Sequence, residues 1–458
     1  MIGRLSEAKS DAKINLEILE KLTYQSLFPF RRIDIEICSN LDEWNSFLEE
    51  PAFIEPIVVI DCLFGTGLDR PLSGIYESII SCFEIWRSYD NKTIISLDVP
   101  SGLDADSAEQ IGKNIWADST VTFTAPKLAN IFPPASNFNG ELVVANIGSP
   151  QDLVDNSPSQ TFVGEKQDAQ DWLNKTKVKA ASYKKNRGTA LIIAGSKNYT
   201  GAAVLAANAC FAAGAGMVSL GVPQSIQEIV AAKVLEEIIT RGFAETKNGA
   251  FAKTAAKDVL EASAKVNVVA LGCGLTSDET STKNFVREVV TKRRTPIVID
   301  ADGLNALAPL DLQGSEELPL ILTPHIGEFQ TLAGKKEITD KIASAREFAE
   351  KHNVVLLLKG ERSLIAAPDG RVVINPTGNA GIARAGAGDT LTGIVTAFLA
   401  QTYGTEKPSL ENTFQTVITA LYIAGLAGDI AAEKFGERLM SATDVRDCLG
   451  EAIASITN

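Results

Sequence analysis

The sequence predicts two doubly wound α/β domains in series. Short β-branched runs recur from Pro56 to Lys359 of the 458 residues, and helical patterns separate them. Several runs are nearly continuous apolar stretches, as strands buried on both faces of a parallel sheet are. A chain this long exceeds the roughly 100–200 residues of one domain and supports a large core.

The first series of strands is Pro56–Asp61, Thr93–Asp98, Thr120–Thr124 and Leu142–Ile147. The first two end in aspartate. Ligands of parallel sheets collect at the carboxyl ends of the strands, so Asp61 and Asp98 are expected to face one crevice. A polar stretch from about Ser149 to Arg187 follows, with Gln-Lys-Gln-Asp-Ala-Gln-Asp and Tyr-Lys-Lys-Asn-Arg inside it. The second series is Thr189–Gly195, Met217–Val222, Val266–Gly272, Pro296–Asp300, Pro319–Thr323 and Val354–Lys359, with Ala-rich helical patterns such as Ala202–Ala213 between. These boundaries predict a first domain over 1–160, a linker over 161–183 and a second domain over 184–458.

Hydrophobic residues make up 45% and charged residues 22%, close to an ordinary globular composition. Apolar runs such as Ile57–Phe64 and Val354–Leu358 stop short of the ~20 residues of a membrane span, so no membrane association is expected. The N-terminus lacks the apolar core of a secretion signal, which predicts a cytoplasmic protein. Six cysteines without CxxC spacing predict buried thiols rather than a zinc site or disulfides. A net charge of −14, from 43 basic and 57 acidic residues, disfavours nucleic-acid binding. It leaves room for an anionic ligand held by backbone N–H groups.

The chemistry concentrates in Gly378–Ala400, where Ala385-Gly-Ala-Gly-Asp389 opens a strong helical pattern. Glycines let the backbone approach a phosphate, and the N–H groups and dipole of the helix stabilise negative charge there. An aspartate at the helix mouth is placed to accept a proton from a hydroxyl attacking a phosphoryl group. Taken alone, Asp389 reads equally well as a simple helix cap.

This loop resembles the anion hole of ribokinase-like small-molecule kinases. Four further segments, Ala194–Ala203, Asp300-Ala-Asp-Gly-Leu-Asn305, Thr323-Pro-His-Ile-Gly-Glu328 and Lys359-Gly360, resemble the ADP- or ATP-dependent NAD(P)H-hydrate dehydratases of that fold. Upstream, Asp61-Cys-Leu-Phe-Gly-Thr-Gly-Leu-Asp-Arg-Pro71, Leu97–Asp104 and Phe123-Thr-Ala-Pro-Lys127 resemble the NAD(P)H-hydrate epimerase domain, which has a Rossmann-like fold. Fused in this order, the two resemble bifunctional NAD(P)H-hydrate repair enzymes.

The resemblance implies repair of NADH and NADPH hydrated at C6 of the nicotinamide. The epimerase half would interconvert the R and S hydrates, and the dehydratase half would phosphorylate and eliminate the hydroxyl of the S form. It implies Asp389 as catalytic base, Ala203, Gly274, His325 and Asp389 around the hydrate, and Lys359, Gly360, Gly386 and Gly388 around the nucleotide. In the first domain it implies a substrate loop of Gly65, Thr66, Gly67, Leu68, Asp69, Arg70 and Pro71, a substrate contact at Asp98 and a metal site at Asp61 and Ser101. Lys127 reads as a substrate partner or as surface, and His352 as surface. The implied cofactors are Mg2+ with ADP or ATP and K+ in the epimerase-like domain; the implied assembly is a homo-oligomer.

Two departures from the family pattern are local: Gly272-Cys-Gly-Leu-Thr stands for Gly-Pro-Gly, and Ser182-Tyr-Lys for Ser-His-Lys. A third concerns the start. Epimerase domains open with two helices, a strand and an Asn-Asn-x-Gly-Asp-Gly phosphate loop, whereas this chain is expected to begin in the next helix, around Ala12–Glu20. The first domain is therefore expected to be an incomplete Rossmann-like sheet with doubtful epimerase activity. The alternative is a thiazole, pyrimidine or sugar kinase carrying a non-catalytic N-terminal binding module.

Overall fold

The computed structural model describes residues 14, 15, 17–19, 21, 36–49, 58–88 and 92–457. Ile14, Asn15, Glu17–Leu19 and Lys21 are helical; the rest of the helix expected around 12–20 lies outside the described residues, as do 56 and 57 of the first expected strand. The chain divides into two compact units between Ser157 and Pro158.

The first unit carries a parallel sheet of β1 (Val58–Asp61), β2 (Thr93–Leu97), β3 (Ser119–Phe123) and β4 (Glu141–Ala145). The strands lie in sequence order, so among the described residues the winding does not reverse. The helix Ile75–Arg87 buries Ile79, Ile80, Phe83 and Trp86 together with Trp44 and Ile94. The expectation that β1 is buried on both faces does not hold. It is an edge strand among the described residues, with Val58 49% and Ile60 58% exposed.

The second unit is built on a ten-stranded sheet. It comprises β5 (Thr161–Val163), β6 (Thr189–Ile193), β7 (Met217–Pro223), β8 (Ile239–Phe243), β9 (Val268–Leu271), β10 (Ile297–Ile299), β11 (Leu320–Leu322), β12 (Val355–Leu358), β13 (Leu364–Ala366) and β14 (Val372–Ile374). Their order is β5-β14-β13-β12-β11-β10-β9-β6-β7-β8, parallel except where β13 meets β12 and β14. The chain runs outward one way through β6, β7 and β8, and the other way from β9 to β12. The reversal between β6 and β9 opens a crevice at their carboxyl ends, where parallel sheets bind ligands. The central strands β6, β9, β10, β11 and β12 are buried at every residue, which explains their continuous apolar sequences.

The stretch 161–183, expected as a linker, is largely part of this unit. β5 pairs with β14, and the helix Lys166–Lys175 sets Trp172 against Phe398 in a stack with ring centroids 4.3 Å apart. The indole Nε1 donates to Thr402 Oγ1 at 2.9 Å. Polar residues on the outer face of that helix conceal its buried side, Ala169 and Trp172.

Three further differences concern burial. His352 is buried rather than on the surface, its ring 4.5 Å from that of Phe348 and its Nδ1 3.2 Å from the Leu312 carbonyl oxygen; burial pulls its pKa down. Five cysteines are buried as expected, but Cys62 is exposed. The helix Leu410–Phe435 is long and apolar enough to cross a membrane by length and composition, although 72% of its most apolar stretch is buried in the unit. Its sequence holds the apolar stretch Ala420–Gly428, bounded by Thr419 and Asp429, well short of the length of a span.

Candidate active site at the switch point of the second sheet

The two strands flanking the reversal are joined just beyond their ends, where Gly195 N donates to the Cys273 carbonyl at 2.8 Å. Gly272 permits the next close approach. A Cβ there would stand 1.8 Å from the Asp300 carbonyl oxygen, and its φ of +142° also selects glycine. Asp300 follows β10 directly and is 1% exposed. Its Oδ1 accepts from Lys359 Nζ at 2.6 Å and its Oδ2 from Thr392 Oγ1 at 2.7 Å. Lys359 follows β12, its backbone N–H tied to the Pro324 carbonyl at 2.8 Å. Burial alone would lower the Lys359 pKa; the charge and hydrogen bond of Asp300, with Glu328 behind them, outweigh it and keep the ammonium charged.

The glycine-rich loop closes over this pair. Gly386, at φ +89°, opens the helix Ala387–Thr405, and no side chain caps that helix. The first turn of a helix has N–H groups without intrahelical acceptors, and here they border Lys359: a Cβ on Gly388 would lie 3.5 Å from its Nζ. The loop is anchored from behind. Asp429 accepts from Gly378 N at 3.0 Å and Asn379 Nδ2 at 2.9 Å, and the Arg384 guanidinium donates to the Leu439 and Met440 carbonyls.

Asp389 sits half-buried in the first turn. Burial raises its pKa above the ordinary aspartate value, the carboxylates of Asp300 and Asp302 add to the rise, and the Cys273 thiol and Lys359 oppose it. The result is a carboxylate more basic than usual beside a fixed cation and free N–H donors. That arrangement suits proton abstraction next to a transferring phosphoryl group.

The remaining predicted residues fall around this centre unevenly. His325 caps the helix Ile326–Ala333, its Nδ1 accepting from Gly327 N at 3.0 Å and Glu328 N at 3.3 Å, with the ring exposed. Accepting at Nδ1 leaves the proton of the neutral ring on Nε2, the nitrogen nearer the Glu328 carboxylate, at 3.5 Å. Glu328 returns the cap by accepting from His325 N at 2.9 Å, and burial raises its own pKa. Gly274 is half-buried, at φ +66°, with Tyr199 and Ala202 against it. Gly360 begins the turn into β13, its N–H reaching Ser363 Oγ at 3.3 Å. Ala203 is completely buried and packs against Gly195, so its place is in the core behind the crevice. Sequence reasoning missed Cys273, Glu328, Thr392 and Asp429 as parts of the site, and did not connect Asp300 with Lys359.

In the first unit the predicted residues form a tighter, self-satisfied group. The Asp61 Oδ1 accepts from Ser101 Oγ at 2.6 Å and Leu63 N at 3.2 Å, and its Oδ2 from Ser96 Oγ and Ser101 N, both at 2.9 Å. Asp98, at φ +69°, directs its carboxylate to Gly65, where a Cβ would be 3.4 Å from Oδ2. Lys127 pairs with Asp98 and also donates to Thr122 Oγ1 at 3.0 Å and the Phe123 carbonyl at 2.9 Å. Of the loop beyond Gly65, only Leu68 is buried; Thr66, Gly67, Asp69, Arg70 and Pro71 are exposed. Among the described residues no group of three or more His, Cys, Asp or Glu is placed to hold a metal ion.

Comparison with known proteins sets these two sites in one frame. Residues 190–450 match the family model described as NAD(P)H-hydrate dehydratase, and residues 1–129 match that of the YjeF-related protein N-terminus. A bifunctional NAD(P)H-hydrate repair enzyme of Moorella thermoacetica is 37% identical over 455 residues, 98% of this chain and 80% of that protein. The chain belongs to the bifunctional NAD(P)H-hydrate repair enzyme family. Another member, from Salinibacter ruber, is 32% identical over the same shares of the two chains. The dehydratase match runs from β6 past the helix Ala387–Thr405 to residue 450, and so takes in every residue converging on Asp300 and Lys359. The ADP/ATP-dependent NAD(P)H-hydrate dehydratase of Bacillus subtilis, co-crystallised with ATP and Mg2+, superposes with a TM-score of 0.54 at 28% identity. That alignment covers 64% of this chain and 98% of the Bacillus protein.

Proposed function

We propose that the second unit dehydrates the S form of hydrated NADH or NADPH at the expense of ADP or ATP, with Asp389 as base. The observation that carries this reading is the convergence, at one switch point, of a half-buried basic carboxylate, a half-buried ion-paired lysine and an uncapped helix N-terminus. Asp389 takes the proton of the hydrate hydroxyl as its oxygen attacks the terminal phosphoryl group. The anhydride bond to the shortened nucleotide breaks, and the N–H groups at Gly388 with the Lys359 ammonium balance the charge on the transferring phosphoryl. The C6–O bond then cleaves, phosphate departs with the bonding pair and a ring proton is released, giving NAD(P)H. Phosphate leaves readily where hydroxide would not.

His325 and Gly274 flank the hydrate in this reading, and Gly360 and Gly386 the nucleotide. Mg2+ bound with the nucleotide, as in the Bacillus structure, would neutralise phosphate charge. The first unit would supply the epimerase step, with Asp98 and the Gly65–Pro71 loop at the substrate. A K+ ion at Asp61 and Ser101 belongs to that same reading; because Asp61 is already met by four donors, the cation would have to displace at least the Ser101 hydroxyl contact. We place the protein in the cytoplasm as a homo-oligomer, with no nucleic acid or membrane among its partners.

Purified protein mixed with hydrated NADH and ADP or ATP should restore the NADH absorbance band and release one phosphate per NADH. No recovery with either nucleotide would refute the dehydratase reading.

A further inference from the structure

Asp300 is the one carboxylate in the site that is both fully buried and ion-paired, and each of its oxygens is taken by a protein donor. Its two oxygens serve two different elements. Oδ1 holds Lys359 from the end of β12, and Oδ2 holds Thr392 from the second turn of the anion-hole helix. Ala301, at the non-glycine φ of +48°, turns the chain sharply just after it. The lysine head, the helix mouth and the end of β10 are thereby fixed to one another through a single side chain.

We propose that Asp300 is a positioning residue for phosphoryl transfer, setting the Lys359 ammonium and the Asp389 turn in register across the transferring group. This rests on the dehydratase reading above. A lysine on its long stem loses much rotamer freedom when held at one point, and a cation fixed in advance needs no reorganisation during the reaction. Thr392 lies three residues after Asp389 on the same helix, so its bond to Asp300 limits sliding of the turn that carries the base. The charged and titratable groups facing Lys359 are Asp300, Glu328 from the helix Ile326–Ala333, Cys273 after β9 and Asp389 from the anion-hole helix.

Asp300→Asn keeps the shape and removes the charge. Lys359 then has burial working against its charged form without the main opposing carboxylate, so it should lose its proton at lower pH. The expected result is a loss of kcat by roughly 10- to 100-fold, the range for misplaced catalytic groups. The alkaline limb of ADP binding, followed by calorimetry, should also move to lower pH. Thr392→Val keeps the charge and cuts only the link to the helix. It should lower kcat several-fold with the ADP-binding pH profile unmoved, and Thr392→Ser should restore kcat.

Folded Asp300→Asn protein with wild-type kcat and a wild-type pH profile of ADP binding would overturn the proposal. If Asp300→Asn fails to fold, the threonine pair decides: unchanged kcat in Thr392→Val would overturn it. If the wild-type protein does not convert the hydrate at all, the dehydratase reading fails, and the pH dependence of ADP binding still tells whether Asp300 holds Lys359 charged.

Discussion

The two units hold their aspartates in different surroundings. In the second, the sheet reverses between β6 and β9, and Asp389 stands half-buried at the mouth of a 19-residue helix with backbone donors to spare. In the first, the described strands run in sequence order, and Asp61 spends both oxygens on Ser96, Ser101 and Leu63. A saturated carboxylate organises its own loops. An unsaturated one, beside a fixed cation, is left available to a ligand. What the surrounding groups leave unsatisfied thus separates Asp389 at its helix mouth from Asp61 at its strand end.

The sharpest way to break this contrast is to neutralise one aspartate in each unit. Asp389→Asn should cut conversion of the S hydrate by about 1,000-fold or more, within the range for loss of a general base, and leave ADP binding largely intact. Asp98→Asn should leave that rate unchanged, because it lies in the other unit. Rates from NADH absorbance and affinities from calorimetry would check both, and an equal loss in the two variants would abolish the distinction. Asp389→Asn also has a stability consequence with a definite sign. The folded pKa of Asp389 lies above its ordinary value, chiefly through burial, so the folded state binds more protons than the unfolded chain where the group titrates. Its ionisation therefore costs stability as pH rises through that region. The variant should melt higher than wild type at neutral pH and lose the advantage in acid, while wild-type turnover should fall on the acid side as the base is protonated.

Glycine substitutions probe the same contrast in packing. Gly272→Ala would drive a Cβ to 1.8 Å from the Asp300 carbonyl oxygen at a φ of +142°, whereas Gly67 has nothing within 4 Å of its Cβ position. Gly272→Ala should destabilise the second unit by about 1–3 kcal/mol or more, as overpacking does. Gly67→Ala should stay within about 0.5 kcal/mol, as for surface changes away from special features. Denaturant midpoints would test the pair, and a silent Gly272→Ala would show that the close approach at the switch point has slack.

What the sequence disclosed was local. The glycine-rich loop with Asp389, the Thr-Pro-His-x-Gly-Glu segment and the buried central strands are each written in consecutive residues that can be read one segment at a time. What it hid was long-range or short. Asp300 meets Thr392 across 92 residues and Lys359 across 59, and Asp429 meets Gly378 across 51. No local pattern encodes such pairings. β5 and β14 have three residues each and lack the longer apolar run that marks the equally short β10 and β11, and β8 alternates Ile, Thr, Arg and Gly without an apolar run. The helix Lys166–Lys175 did carry a signal, Ala169 and Trp172 three residues apart, beneath a polar face that read as linker. His352, in the helical pattern before a strand, reads as surface, and only the fold brings Phe348 and the Leu312 carbonyl to it.

A smaller effect than that of Gly272→Ala separates two roles that His325 combines. Its Nδ1 caps a helix by accepting from Gly327 and Glu328, and its exposed Nε2 side remains for a ligand. His325→Ala removes both functions and should cost about 1 kcal/mol of stability, the usual value of an N-cap. Asn is among the best N-cap residues, so His325→Asn should recover that stability by accepting from the same N–H groups. It cannot reach as far as an imidazole edge. If the ring touches the hydrate, His325→Asn should therefore raise the KM for the hydrate several-fold while the denaturant midpoint and ADP affinity stay near wild type. If KM is unchanged and only His325→Ala loses stability, His325 is a cap alone, and the ligand contacts of the second unit shrink towards the Asp389 turn.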